Sequence, residues 1–315
     1  MKNNNISLPR FDEFLLNLQT SNYSEETIYN YERDINVFAN FLNELNVEFD
    51  KITKSTILNY KAYLVSRDRK TAKDNLGEKK LGSYSINRML SSLRSYFRFL
   101  IDMDYDIPVP PESIKLMKTE KKHPQVAELE LLIKLIETPS HYEKNKQVAL
   151  RNRAMMEVLF STGMRISELL NLKKNQIDNT GKIFIMGKGK KERFVYLTER
   201  AYEHLKNYLA TRNDALPYLF IPYSGLNNPK KDKRISPNYL QGKIKRYREY
   251  LGINVPTSAH SLRHGFATYL AEQGANPAAI QILLGHESLN TTTRYVHASD
   301  RYAEKIHRQF HPLKK

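Results

Sequence analysis

The apolar positions of the first 118 residues recur at helical spacing throughout. Ser24 reads as an N-cap with Glu25 and Glu26 in the first turn, where acidic residues suit the positive end of the helix dipole. Behind it Tyr31, Ile35, Phe38, Leu42 and Leu45 form one stripe. A second helix is predicted after Thr53, carrying Ile57, Tyr60 and Leu64. A third follows Gly82 and Ser83, with Ile86, Met89, Leu90, Leu93, Phe97 and Leu100 on one face. Arg67–Lys80, between these two, is polar and basic and reads as a loop. The stripes read as core and carry no function of their own.

Pro108, Pro110 and Pro111 then break the pattern, followed by the charged Lys118–Lys122 and Pro124. Repeated proline excludes regular helix and marks a linker. Two domains are expected, residues 1–118 and 119–315, since 315 residues are many for a single core. The second is mixed. Helical patterns cover Val126–Glu137, Gln147–Ser161, Thr198–Thr211, Pro237–Leu251, Ala259–Glu272, Pro277–Leu284 and Ser299–Phe310. Asn175–Asp178, Lys182–Met186 and Arg193–Leu197 read as three short strands, the last two joined by Gly187-Lys188-Gly189-Lys190-Lys191 in a tight turn. The predicted fold class is mainly α with a small antiparallel β-sheet.

Charge changes the picture most. The net charge is +16, and residues 119–315 carry +15 of it. Within the first domain, residues 61–98 hold ten basic and three acidic residues. Clustered positive charge is the footprint of a phosphate backbone partner. Zero cysteines exclude disulfides, thiolate zinc sites and a cysteine nucleophile. No run of 18 apolar residues and no apolar stretch after Met1 appears, so neither a membrane span nor a secretory signal is read, and a cytoplasmic location is expected.

Three short segments carry the chemistry. Thr162-Gly163-Met164-Arg165-Ile166-Ser167-Glu168 lets Gly163 end one helix and Arg165 open the next, with Glu168 one turn on. An arginine fork there matches two nonbridging phosphate oxygens. In His260-Ser261-Leu262-Arg263-His264, His260 and Arg263 share a helix face, and His264 is expected to face a different way, as a packing group or one that supports a site residue. Leu284-Gly285-His286 is followed by Arg294 and Tyr295. A phenol of pKa near 10 needs a positive field or a base to attack at neutral pH. Clustered histidines suggest a metal, but neither cysteine nor an H-E-x-x-H spacing accompanies them, and no metal or other cofactor is expected.

These segments resemble the tyrosine recombinase (phage integrase) family, and within it the Xer recombinases. The resemblance covers both domains: a helical core-binding (SAM-like) DNA-binding domain, and a catalytic domain from Thr162 to Ala298. It implies an active site of Arg165, Lys188, His260, Arg263, His286 and Tyr295. Arg165 and Arg263 would clamp the scissile phosphate, Lys188 would protonate the leaving 5′-oxygen, and His260 would help accept the tyrosine proton. His286 would bond the phosphate, and Tyr295 would form a 3′-phosphotyrosyl link without metal or ATP. It further implies double-stranded DNA at a specific site as partner, and a tetramer of this chain or one shared with a second recombinase. A DNA translocase is a candidate activator, the need for one being left open by the resemblance. The tail, with Tyr302, Ile306 and Phe310, resembles a helix that docks into a neighbouring protomer, and no room is left for an arm-binding domain. Chromosome or plasmid dimer resolution is the expected role. Mobile-element integration, a type IB-like topoisomerase and a non-catalytic DNA-binding protein are the alternatives. Arg88, Arg94, Lys243, Lys245 and Arg246, on basic helix faces, are the candidates for DNA contact.

Overall fold

The computed structural model describes residues 8–66, 70, 80–119, 127–186, 192–224 and 233–285. The chain divides into two compact units, Met1–Lys122 and His123–Lys315.

Among the described residues of the first unit four helices share one core: α1 (Phe11–Thr20), α2 (Glu25–Leu45), α3 (Lys54–Val65) and α4 (Ser83–Asp102). Ser24 Oγ accepts from Thr27 N–H at 3.3 Å and starts α2. Asn46, left-handed at φ 52°, ends it. Thr53 and Thr56 cap α3 reciprocally. The predicted stripes face inward: Ile35, Phe38, Leu42, Ile57, Tyr60, Leu64, Ile86, Leu93 and Phe97 are buried, while Leu45 at the stripe's end is exposed. Helix α1 adds Phe14 and Leu18 to this core, with Phe14 edge-on to Tyr96 at 5.3 Å. Its N-cap is a left-handed Arg10 with no capping side chain, so the usual start signal is missing from the sequence. A buried carboxylate lies in this core: Asp34 of α2 accepts from the partly exposed Arg88 of α4 and, at 3.0 Å, from Ser92 Oγ.

The second unit is built around α7 (Lys146–Thr162), which Asn145 caps and whose Ala154, Met155, Met156, Val158 and Leu159 are fully enclosed. It packs against α9 (Glu199–Leu209) and α11 (Ala259–Glu272). Truncating a side chain as enclosed as Leu159 to alanine costs about 2–5 kcal/mol in such a core. Around it lie α5 (Leu129–Glu137), α6 (Pro139–Tyr142), α8 (Ile166–Asn171), α10 (Pro237–Tyr250) and α12 (Pro277–Leu284). Helices α11 and α12 have the predicted bounds. Ser258 caps the first through Ser261 N–H at 3.2 Å, and Asn276 caps the second through Ala278 N–H at 2.8 Å.

Among the described residues the sheet has two strands, β1 (Lys182–Met186) and β2 (Glu192–Tyr196), antiparallel with Lys182 opposite Tyr196 and Met186 opposite Glu192. Ile183, Ile185 and Val195 point inward, and the same alternation sends Arg193 inward. The third strand predicted at Asn175–Asp178 is corrected: Lys174–Gln176 forms a 3₁₀ turn, and only Ile177 bridges to Ile183. Side chains take the backbone groups a ladder would use. Gln176 Oε1 accepts from Lys173 N–H at 2.7 Å, and Asp178 Oδ1 accepts from the N–H groups of Thr180 and Lys182, both at 2.9 Å. The predicted linker beyond residue 119, nearly all of the 67–80 loop, the 187–191 turn and the helix at Ser299–Phe310 lie outside the described residues.

Candidate active site

Helix α7 ends at Gly163, left-handed at φ 61°. A Cβ at that position would come within 2.3 Å of the Phe266 ring on α11, so both the backbone conformation and the close approach require glycine. Two residues later Arg165 stands at the N-cap of α8. Glu168 holds it twice, accepting from the Arg165 N–H at 2.7 Å and from Nη1 at 2.9 Å. The Arg165 side chain remains 37 % exposed.

Arg263 reaches the same place from α11. It is buried and donates from Nη1 to Gly163 O and from Nη2 to Leu284 O, each at 2.8 Å. The two carbonyls fix the plane of its guanidinium between the end of α7 and the end of α12. Arg165 Nη2 donates to the next carbonyl, Gly285 O, at 3.3 Å. Gly285 is left-handed at φ 64° and terminates α12. Late carbonyls of a helix lack intrahelical partners and carry the negative end of its dipole, so they attract cations.

His260 occupies the first turn of α11, one turn before Arg263. Burial of the ring, then the charges of Arg263 and Arg165, lower its pKa below the usual histidine value. A neutral imidazole is the form that accepts a proton. His264 does not turn away as expected. Four residues apart is one helical turn, and its Nε2 lies 2.8 Å from His260 Nε2. Burial, with His260 and Arg263 as further causes, lowers its pKa to about 4, so the pair is neutral near pH 7.

The site thus brings together Arg165, His260 and Arg263. Lys188, His286 and Tyr295 lie outside the described residues. Lys188 falls in the segment joining β1 to β2, and His286 follows Gly285 directly.

One contributor was missed. Arg193 of β2 donates from Nη1 and Nη2 to the two oxygens of Glu168, at 3.0 and 2.7 Å, and from Nε to Leu283 O at 2.9 Å. The sequence did hold a signal: an arginine at an inward slot of an alternating strand needs a buried partner. Burial pushes Glu168 up. Hydrogen bonds from Arg193 and the Arg165 backbone, together with both guanidinium charges, outweigh burial and hold its carboxyl below its ordinary value.

The DNA-contact candidates separate by partner. Arg88 is committed to Asp34, and Lys243 donates to Glu143 at 2.6 Å in a largely enclosed pair. Arg94 Nε donates to Pro111 O at 3.3 Å. Lys245 is exposed and only loosely paired with Glu249 at 3.8 Å, while Arg246 is exposed and has no ion-pair partner among the described residues.

The chain corresponds to a known protein class. Residues 125–301 match the phage integrase family, and residues 11–103 match the phage integrase N-terminal SAM-like domain. The chain belongs to this family, that of the tyrosine recombinases. It is 32 % identical over 297 residues to tyrosine recombinase XerD of Staphylococcus epidermidis RP62A, spanning 92 % of this chain and 93 % of the relative. It is 30 % identical to tyrosine recombinase XerC of Rickettsia massiliae, spanning 93 % of both. Among solved structures, the fold matches a XerH site-specific recombinase bound to a palindromic difH substrate. That match has a TM-score of 0.70 and 22 % identity, covering 97 % of this chain and 90 % of the other.

Proposed function

We propose that this protein performs site-specific DNA strand exchange through a 3′-phosphotyrosyl intermediate. The convergence of Arg165 and Arg263 at the end of α12, with His260 within reach of both charges, carries the reading. Tyr295 Oη attacks the scissile phosphorus, and its proton passes toward neutral His260. The bond to the 5′-oxygen breaks, and Lys188 supplies the proton that leaves with it. Arg165 and Arg263 balance the charge on the nonbridging oxygens, and His286 adds a hydrogen bond to them. In the second half the 5′-hydroxyl of the partner strand attacks the phosphotyrosine and releases Tyr295. One phosphodiester replaces another, so strand exchange needs no ATP, and the side-chain cations supply the charge a metal would bring.

Residues 1–118 serve as the core-binding domain and 119–315 as the catalytic domain. The substrate is double-stranded DNA at a specific site in the cytoplasm. The working assembly is a tetramer on two sites, of this chain alone or shared with a second recombinase. Identity to XerC and XerD relatives along nearly the whole chain favours chromosome or plasmid dimer resolution over mobile-element integration. No helix among the described residues is long and apolar enough to cross a membrane.

The test is a pool of nicked duplexes with randomised inverted repeats, from which detergent-resistant protein–DNA adducts are recovered. Wild type is expected to enrich one repeat family and Tyr295→Phe to recover none. Equal recovery by both proteins would remove Tyr295 as nucleophile. Relaxation of any supercoiled plasmid regardless of sequence would favour a topoisomerase.

A further inference from the structure

Three consecutive carbonyls at the end of α12 are each held by a different arginine. Leu283 O accepts from Arg193, Leu284 O from Arg263 and Gly285 O from Arg165. Two of these are the phosphate-clamping pair of the proposed mechanism. The third has no assigned part, yet its side chain bonds both Glu168 and Leu283 O.

Arg193 joins three chain segments that each carry a site residue. Through both terminal nitrogens it holds Glu168, and Glu168 holds Arg165 by backbone and side chain. Through Nε it holds the helix end that leads into His286. It stands on β2, five residues after Lys188. Gly285 makes room for it: a Cβ there would lie 3.1 Å from Arg193 Cδ and from Nη1.

Stability is a poor explanation for such a residue. Both side chains of the Arg193–Glu168 pair are 7 % exposed, and a buried ion pair is often no more stabilising than an apolar pair of the same shape. What an apolar pair lacks is the ability to fix a third group. Glu168 without Arg193 would keep Arg165 as its nearest cation and draw that guanidinium onto itself. With Arg193 opposite, the carboxylate is neutralised from behind, and Arg165 stays partly exposed toward solvent.

We propose that Arg193 is a positioning residue for recombination, which sets the aim of Arg165 through Glu168 and locks it to the end of α12. The proposal rests on the recombinase reading above.

The experiment is a double-variant cycle on the full-length protein, using the enriched nicked duplex and single-turnover formation of the covalent adduct. Arg193→Lys keeps the charge and loses the fork; Arg193→Gln loses both. Melting temperature and DNA affinity are measured beside the rate, and Arg193→Lys carries the test if Arg193→Gln does not fold. Arg193→Lys is expected to bind DNA within about twofold of wild type and to cleave about 100-fold more slowly, the loss typical of a misaimed catalytic group. In an Arg165→Ala background the same change is expected to cost less than about threefold, because the group it aims is gone. An equal loss in both backgrounds, or a loss that follows the folded fraction, would overturn the proposal. If wild type forms no adduct through Tyr295, the recombinase reading fails first and this inference fails with it. An adduct together with additive losses overturns the positioning role alone.

Discussion

Asp34 in the first unit and Glu168 in the second are both carboxylates enclosed in helical cores beside an arginine, yet their pKa values move in opposite directions. Burial lifts Asp34 above the ordinary carboxylate range, and Arg88, Ser92 and Arg33 offset only part of that rise. Its Oδ1 has no hydrogen-bond partner among the described residues. Glu168 is buried as well, but four N–H groups point at its two oxygens: the Arg165 backbone and Nη1, and Arg193 Nη1 and Nη2. The number of donors, more than the presence of a cation, decides which protonation state the fold favours. The difference also separates two uses of an ion pair. Asp34–Arg88 joins α2 to α4 and ends there. Glu168 passes its constraint on to Arg165, whose side chain stays partly exposed.

Removing each carboxylate breaks the comparison most directly. Glu168→Gln leaves Arg193 enclosed opposite a neutral amide, at a cost of about 3–5 kcal/mol. DNA cleavage is expected to fall about 100-fold with it, since Arg165 loses its guide. Asp34→Asn leaves Arg88, which is 41 % exposed and rehydrates, at a cost of about 1 kcal/mol with cleavage unchanged. Hydrogen exchange within each unit measures the two costs separately. Comparable costs, or cleavage lost in Asp34→Asn, would show that the two pairs do the same job. The pH dependence has opposite signs. Glu168, depressed in the folded protein, contributes stability at neutral pH that is lost as pH falls through its folded value. Asp34, raised, contributes stability at low pH that is lost as pH rises through its folded value. The stability gap between wild type and Glu168→Gln therefore narrows on acidification. Wild type measured against Asp34→Asn instead gains.

A smaller effect belongs to the histidines beside Glu168's arginine. Because burial and the two arginines hold His260 below its ordinary value, the acid limb of the cleavage rate is expected below pH 6.5. A limb centred above 6.5 in a single-turnover pH profile would remove His260 as proton acceptor. The smallest effect is at the surface. Arg246→Ala is expected to weaken DNA binding a fewfold and to reduce the salt dependence by about one counterion. Arg88→Met should leave that slope unchanged, because Arg88 is already spoken for by Asp34. A salt titration of both variants decides.

The elements that present the site were legible because their signals are local. Ser258 and Ser261, Asn276 with Pro277, and the left-handed Gly163 and Gly285 mark helix ends within a few residues of the groups they deliver. What escaped was non-local. Arg88 and Lys243 looked like free basic faces, and their partners Asp34 and Glu143 lie 54 and 100 residues away. Arg193 meets Glu168 from 25 residues away and Leu283 from 90. Asn175–Asp178 failed for a different reason: Gln176 and Asp178 turn the chain through their own side chains, which apolar periodicity does not register. His264 was misplaced although the i, i+4 relation that joins it to His260 was available.

Helix α12 is only two turns long, and it rests on α11 through a small apolar cluster of its own, Ala267, Ala271, Ile280 and Leu284. A helix of that length does not persist unaided in water, where the nucleation cost outweighs a few propagating residues. Its persistence is therefore borrowed from α11 and from the three arginines at its end. Loosening any one of those contacts is expected to weaken the hold on α12 as a whole. The exchange rate of the Gly285 amide, bonded to Gln281 O at 2.8 Å, is expected to report how firmly α12 is held.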